Sequence, residues 1–282
     1  MVKIFAESTC DLSPELVKKY DITIIPLHII LDDEEFEDGI NINPDQIFAW
    51  SDLHSRTPKT SAPSIETAIQ RMKPFLDQGD EIICFSISES MSTSGNIIRI
   101  AAEELKKEDQ VTVINSMNLS TGIGLLVIEA SILAREGLSR SEIISRIQEM
   151  IPRVRASFVL DTMTFLRRGG RCSAITAIAG SVLKIHPEIV VEDGAMNVGR
   201  KYRGNLDRVI VKYAKDLEPL LLQGKKDRVF ITHSGCRKEI IDSVRDYLVS
   251  LNHFDEILET RAGSVISSHC GPGTLGILFI QE

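Results

Sequence analysis

Short clusters of small hydroxyl-bearing residues follow one apolar run after another in this chain. They are Glu7-Ser8-Thr9-Cys10-Asp11, Thr60-Ser61-Ala62-Pro63-Ser64, the stretch from Ser86 to Gly95, Ser120-Thr121-Gly122, Thr232-His233-Ser234-Gly235 and Ser267-Ser268-His269-Cys270-Gly271. Most stand directly behind a segment that reads as a strand. Hydroxyls and free backbone N–H groups are the donors an anion needs. In an open α/β sheet the ligand crevice lies beyond the carboxyl ends of the strands, where such clusters would gather. The chemistry on offer is to hold an acidic group.

The motifs that would cut or transfer such a group are missing. There is no Gly-x-Ser-x-Gly for a nucleophile elbow and no Gly-x-x-x-x-Gly-Lys-Ser/Thr for a phosphate loop. The nearest dinucleotide fingerprint, Gly122-Ile123-Gly124-Leu125-Leu126-Val127, has valine in place of the third glycine and reads as a tight helix start. The six histidines are His28, His54, His186, His233, His253 and His269, and no two share metal-ligand spacing. The five cysteines at 10, 84, 172, 236 and 270 form no CxxC pair. The expectation is a reduced, cytoplasmic protein without metal or cofactor.

Composition narrows the ligand. Forty acidic against 32 basic residues give a net charge of −8, which excludes a general nucleic-acid footprint. A local exception runs from Asp161 to Asn205, where Arg167, Arg168, Arg171, Lys184, Arg200, Lys201 and Arg203 outnumber Asp161, Glu188, Glu192 and Asp193. Hydrophobic residues make up 43%, enough for a substantial core, yet aromatics are only 5% with Trp50 the single tryptophan. Any apolar cavity is therefore expected to be lined by aliphatic side chains. No apolar run of membrane-spanning length occurs, and Met1–Glu7 does not resemble a signal peptide.

Strands and helices must place these residues. Val2–Ala6, Glu81–Ile87 and Val111–Asn115 read as buried strands, and Ile22–Leu31 as one further apolar, β-branched run. Ser13-Pro14 opens a short helix, Ser64 caps one over Ile65–Leu76, and further helices are predicted over Asn96–Lys106, Gly124–Arg135 and Glu142–Met150. Beyond Ile151-Pro152 the alternation changes. Ser157–Leu160, a hairpin of Glu188–Val191 and Met196–Val198 about Asp193-Gly194, and strands at Arg228–Thr232, Ile257–Thr260 and Thr274–Gln281 surround one helix over Lys238–Leu251. The fold class is α/β with two domains. Residues 1–153 form a Rossmann-like domain with a mostly parallel sheet flanked by helices, and 154–282 an α+β domain with more antiparallel strands.

Four segments carry a specific resemblance. Glu-Ser-Thr-Cys-Asp-Leu at 7–12, Thr-Ser-Ala-Pro-Ser at 60–64, Asp161-Thr162 followed by Leu166-Arg167-Arg168-Gly169-Gly170-Arg171, and Ser267-Ser268-His269-Cys270-Gly271-Pro272-Gly273-Thr274-Leu275-Gly276 stand in the order of the DegV family's motifs. The chain resembles that family and is similar to the fatty-acid-binding subunit of bacterial fatty acid kinase. Glu7 stands where the family has aspartate and Ala62 where it has glutamine. Met91-Ser92-Thr93-Ser94-Gly95 keeps the serine of the family's Leu-Ser-Gly-Thr-Tyr and rearranges the rest.

The resemblance implies a lipid-binding protein of phospholipid synthesis, without a catalytic motif of its own, that holds a long-chain fatty acid in a buried tunnel. It would present the carboxylate to a partner kinase, and the acyl phosphate to an acyltransferase. Thr60, Ser61, Ser92, Arg171 and His269 would hold the carboxylate, with Ser8, Thr9 and Ser94 as secondary candidates. Arg200, Lys201 and Arg203 would dock the partner, with transient contact at a membrane surface. Hydroxyls, an arginine and a protonated histidine suit a carboxylate. At about 0.8 kcal/mol per methylene, a sixteen-carbon tail offers roughly 12 kcal/mol before ordering costs, so the head group orients more than it binds.

Each residue also has a plainer reading. Thr60 would shape the turn before Pro63, Ser92 would cap a helix, Arg171 would pair with Asp161, His269 would be a core histidine, and the cluster at Arg200 would be a solvated face. The clusters at 120–122 and 232–235 read as caps and turns. Two rival functions stand beside binding. One is a self-contained hydrolase or phosphotransferase using Ser92 or His269 as nucleophile. The other is a lipid-responsive regulatory protein.

Overall fold

A computed structural model describes residues 1–176 and 185–282. Its strands are β1 (Val2–Glu7), β2 (Ile22–Ile25), β3 (His28–Leu31), β4 (Glu34–Glu37), β5 (Lys59–Ser61), β6 (Glu81–Ser86), β7 (Val111–Asn115), β8 (Val154–Val159), β9 (Ile185–Glu192), β10 (Ala195–Arg203), β11 (Gly224–Ser234), β12 (Glu256–Arg261) and β13 (Thr274–Gln281). Three sheets result, ordered β2-β1-β6-β7, β4-β3-β5 and β10-β9-β8-β13-β11-β12. The first is wholly parallel. The second is antiparallel, and the third is antiparallel except where β11 meets β12.

Local chemistry starts the helices where the spacing predicts. The Ser13 hydroxyl accepts from Leu16 N–H ahead of Pro14, the Ser64 hydroxyl accepts from Thr67 N–H, and Ser139 forms a reciprocal cap with Glu142. The run Ile22–Leu31 does not hold together as one strand. Pro26 has no N–H to give a ladder, and the chain leaves β2 beside β1 to enter β3 in another sheet. Several helices escape the pattern reading altogether, two of them long. Pro44–His54 is held by an Asn43–Gln46 capping box, and Leu206–Asp216 by the Asn205 side chain. The segment Ser264–Cys270, read as a strand end, is also helical.

Both large sheets turn a face toward one shared core. Ile83 and Phe85 of β6 and Leu126 of the helix Thr121–Arg135 belong to the same buried cluster as Ala156, Phe158 and Leu278. The opposite face of the six-stranded sheet packs under the helices Leu206–Asp216 and Lys238–Ser250 through residues such as Tyr213, Val244 and Ile277. In the shared face, register aligns Phe158, Gly276, Thr232 and Thr260 in one transverse row. That row places two threonine hydroxyls in an otherwise apolar floor.

Candidate functional site

Between the two large sheets lies a cavity of about 440 Å³. Alternate residues of β13 (Thr274, Gly276, Leu278) form part of its wall, as the period of a strand requires, together with Thr232, His233 and Ser234 at the end of β11. Leu27, Ile87, Met91, Leu119, Leu166 and Met196 supply the apolar lining. Aliphatic and thioether side chains dominate, as expected from so few aromatics. The volume falls in the range of sites that enclose small-molecule ligands, roughly 300–1,000 Å³.

Thr60, Ser61, Ser92, Arg171 and His269 all reach this cavity, from a strand, two loops and a helix. Thr60 and Ser61 lie on β5, fixed by pairing with Ile29 and His28 of β3. Ser92 sits in the loop after β6, where its N–H donates to Ser88 O at 3.1 Å and its Oγ accepts from Ser94 N–H at 3.2 Å. His269 occupies the last turn of Ser264–Cys270. Its Nε2 shares a 2.8 Å hydrogen bond with Thr60 Oγ1. The buried Nδ1 lies against the backbone of Gly169, where a Cβ would collide with it, and has no hydrogen-bond partner among the described residues. Arg171 is exposed and donates from Nη1 to Gly169 O at 2.6 Å. Thr60, His269, Gly169 and Arg171 thus form one contiguous set.

Electrostatics corrects one expectation. Loss of hydration, with Arg171 adding its positive charge, pushes the His269 imidazole down from 6.5 to about 4. The ring is therefore neutral rather than protonated at neutral pH. Arg171 also does not pair with Asp161, which instead lies 3.7 Å from His186 Nδ1.

The secondary candidates stand behind the wall. Ser8 Oγ accepts from Leu27 N–H at 3.1 Å, so it positions a lining residue. Thr9 donates to Glu7 Oε2 at 3.3 Å, and Ser94 is buried near the same carboxyl group. Glu7 Oε2 also accepts from Ile87 N–H at 2.8 Å, and burial raises the Glu7 carboxyl to about 7. Arg200, Lys201 and Arg203 lie exposed on β10, with Arg200 held 3.2 Å from Asp216.

Two clusters taken for caps and turns prove to line the cavity. Ser120 makes no side-chain cap and instead donates to Asp11 Oδ2 at 2.5 Å. Thr232 joins Thr121 at 2.6 Å and Thr260 at 3.1 Å, and Ser234 donates to Ser267. The cluster at 232–235 stands at the end of β11, and the one at 120–122 opens the helix Thr121–Arg135 after the loop that follows β7. Cap and turn preferences of Ser and Thr are so common that they masked this placement.

This arrangement is suited to holding rather than cutting. A base poised for catalysis near neutral pH needs a pKa close to 7. His269 at about 4 is a poor acceptor for the Thr60 proton, and no third group orients its Nδ1. The Ser92 Oγ accepts from the Ser94 N–H, which leaves its O–H free to donate to a bound anion. Among the described residues no group of three or more His, Cys, Asp or Glu side chains is arranged to hold a metal ion, and no helix is long and apolar enough to cross a membrane.

Fold and cavity together define a class: an α/β protein whose parallel and antiparallel sheets enclose an apolar chamber with a donor-rich side. The chain belongs to the DegV family, whose model, described as an uncharacterised protein family, matches residues 1–282. A DegV domain-containing protein of Clostridium acetobutylicum is 31% identical over 283 residues, covering 100% of this chain and 99% of the relative. Among solved structures, a fatty-acid-binding DegV family protein from Thermus thermophilus has a TM-score of 0.90 at 25% identity, covering 100% of this chain and 99% of that one. A stearic-acid-binding protein from Eubacterium ventriosum has a TM-score of 0.86 at 27% identity, covering 100% and 98%. The fold is thus one in which relatives bind fatty acids.

Proposed function

We propose that this chain binds one long-chain fatty acid between its two halves, residues 1–153 and 154–282, and presents the carboxylate at the Thr60–His269–Arg171 side. The observation that carries this reading is the join of an apolar, mainly aliphatic cavity of about 440 Å³ to a contiguous set of hydroxyl, imidazole and guanidinium groups. Thr60, Ser61 and Ser92 donate or share hydrogen bonds with the carboxylate, and Arg171 supplies charge. A carboxylate buried without such partners would be driven to protonate. The family's fatty-acid-binding members support the ligand class.

In this reading the protein is a cytoplasmic carrier without chemistry of its own, and a separate kinase acts on the presented carboxylate before an acyltransferase takes the acyl group. Arg200, Lys201 and Arg203 form the docking strip, a cationic stretch on a chain of net charge −8. Native mass spectrometry of delipidated protein incubated with mixed fatty acids tests the binding step. One retained acyl chain is expected, and a protein that stays unliganded removes the reading.

A further inference from the structure

The helix Ser264–Cys270 forms one wall of the cavity and carries His269 in its last turn. Its other end makes no use of an ordinary cap, since Gly263 at the N-cap has no side chain. Two acids from the first half of the chain take over that task. Asp11, in a left-handed conformation with φ of 51°, accepts from Gly263 N–H through Oδ1 at 2.8 Å while its Oδ2 accepts the Ser120 hydroxyl. Asp38 accepts from Ser264 N–H through Oδ1 at 2.7 Å. Both are buried, so these bonds are made away from water.

The fit at Gly263 is close. A Cβ there would lie 3.1 Å from Asp11 Oδ1 and 3.2 Å from Asp38 Oδ2. Both carboxyl groups converge on a single point of the backbone. Among the described residues neither forms an ion pair with a lysine or arginine that would explain its burial; Asp38 adds its charge beside Asp11, and burial raises both above the ordinary carboxylate range. Retaining two such groups costs stability unless the helix end needs them. Their partners are N–H groups that a helix start leaves unsatisfied, and negative charge is favoured there.

We propose that Asp11 and Asp38 are positioning residues that fix the register and tilt of the helix Ser264–Cys270 and so hold His269 on Thr60 for recognition of the carboxylate. The inference rests on the fatty-acid reading of the cavity. A helix this short has few bonds of its own, so a shift at its start reaches its last turn. Asp38 acts on the ligand through the helix, and Asp11 acts through the helix and through Ser120, whose hydroxyl it holds at the cavity wall.

The test compares palmitate with hexadecan-1-ol, which shares the tail and lacks the charged head. In Asp11→Ala and Asp38→Ala, palmitate affinity is expected to fall about fivefold, the scale of a lost cap, with hexadecanol within about twofold of wild type. Asp11→Asn and Asp38→Asn keep an acceptor for the helix N–H and restore palmitate binding. Gly263→Ala, which crowds the two carboxyl groups without removing either, gives the same selective loss, and the His269 ring 1H–15N signals shift with it. Should the alanine variants of the acids fail to fold, the asparagine pair and Gly263→Ala decide alone. Equal losses for both ligands, or none for palmitate with an unmoved His269 signal, overturn the inference while wild type still binds palmitate. A wild type that binds neither ligand overturns the fatty-acid reading and the inference with it.

Discussion

In the proposed function His269 would meet an incoming carboxylate as a neutral ring, because lost hydration and the charge of Arg171 hold it at about 4. An anion placed against it reverses the second influence and raises the pKa. Binding at mildly acidic pH should therefore take up a proton, and binding at pH 8 should not. Calorimetry in buffers of different ionisation enthalpy at pH 5.5 and 8 measures this, with His269→Gln expected to abolish the difference. Glu7 gives a second test of opposite kind. Its folded pKa, about 7 against an ordinary 4.5, means that the folded state keeps a proton the unfolded chain releases. That contribution is complete below about pH 4.5 and is lost as pH rises through 7. Relative to Glu7→Gln, the wild type should lose up to about 3 kcal/mol between pH 4.5 and 8, read from denaturant unfolding at each pH. A constant gap between the two proteins would show that Glu7 titrates normally.

At the scale of elements, the helix Thr121–Arg135 is bound to the six-stranded sheet by a buried ion pair. Glu129 on the helix holds Arg228 of β11, with Lys225 Nζ at 2.8 Å from the same carboxylate. Removing one partner leaves the other charged and buried, which costs about 3–5 kcal/mol, whereas replacing both with apolar residues is often close to neutral. Glu129→Ala should fall in that range in chemical denaturation, and Glu129→Met with Arg228→Met should recover most of it. These long-range pairs were not legible in the sequence, because residues 129 and 228 carry no local pattern that joins them. The parallel sheet was legible, since β1, β6 and β7 are short apolar runs bounded by caps. Ile22–Leu31 misled because apolar periodicity cannot say which sheet a strand joins, and Pro26 settles that only once β1 is in place. The helix Ser264–Cys270 was hidden by its small polar residues, whose hydroxyls bond within it and back to Ala262. Of the site, the residue types at 60, 92, 171 and 269 were readable, but the Thr60–His269 bond spans 209 positions and needed the fold.

Across the whole molecule, the cavity lies within the core that both large sheets share, so an occupant of the cavity would be coupled to stability. Phe158, Leu278 and Met196 from the second half and Ile87, Met91 and Leu119 from the first belong at once to that core and to the cavity wall. An acyl chain there adds contacts to both halves, and binding that favours only the folded state stabilises it by mass action. At a free palmitate concentration of one hundred times Kd the gain is about 2.7 kcal/mol, and for a chain of this size that raises Tm by several degrees. If an acyl chain in this cavity touches both halves, as the proposed function has it, the two should melt in one transition that moves as a whole. Differential scanning calorimetry of delipidated protein, titrated with palmitate, measures the shift and the number of transitions together. A single peak that climbs with the logarithm of ligand concentration is expected. If only part of the heat absorption moves, the acyl chain stabilises one half alone, and the cavity does not join them.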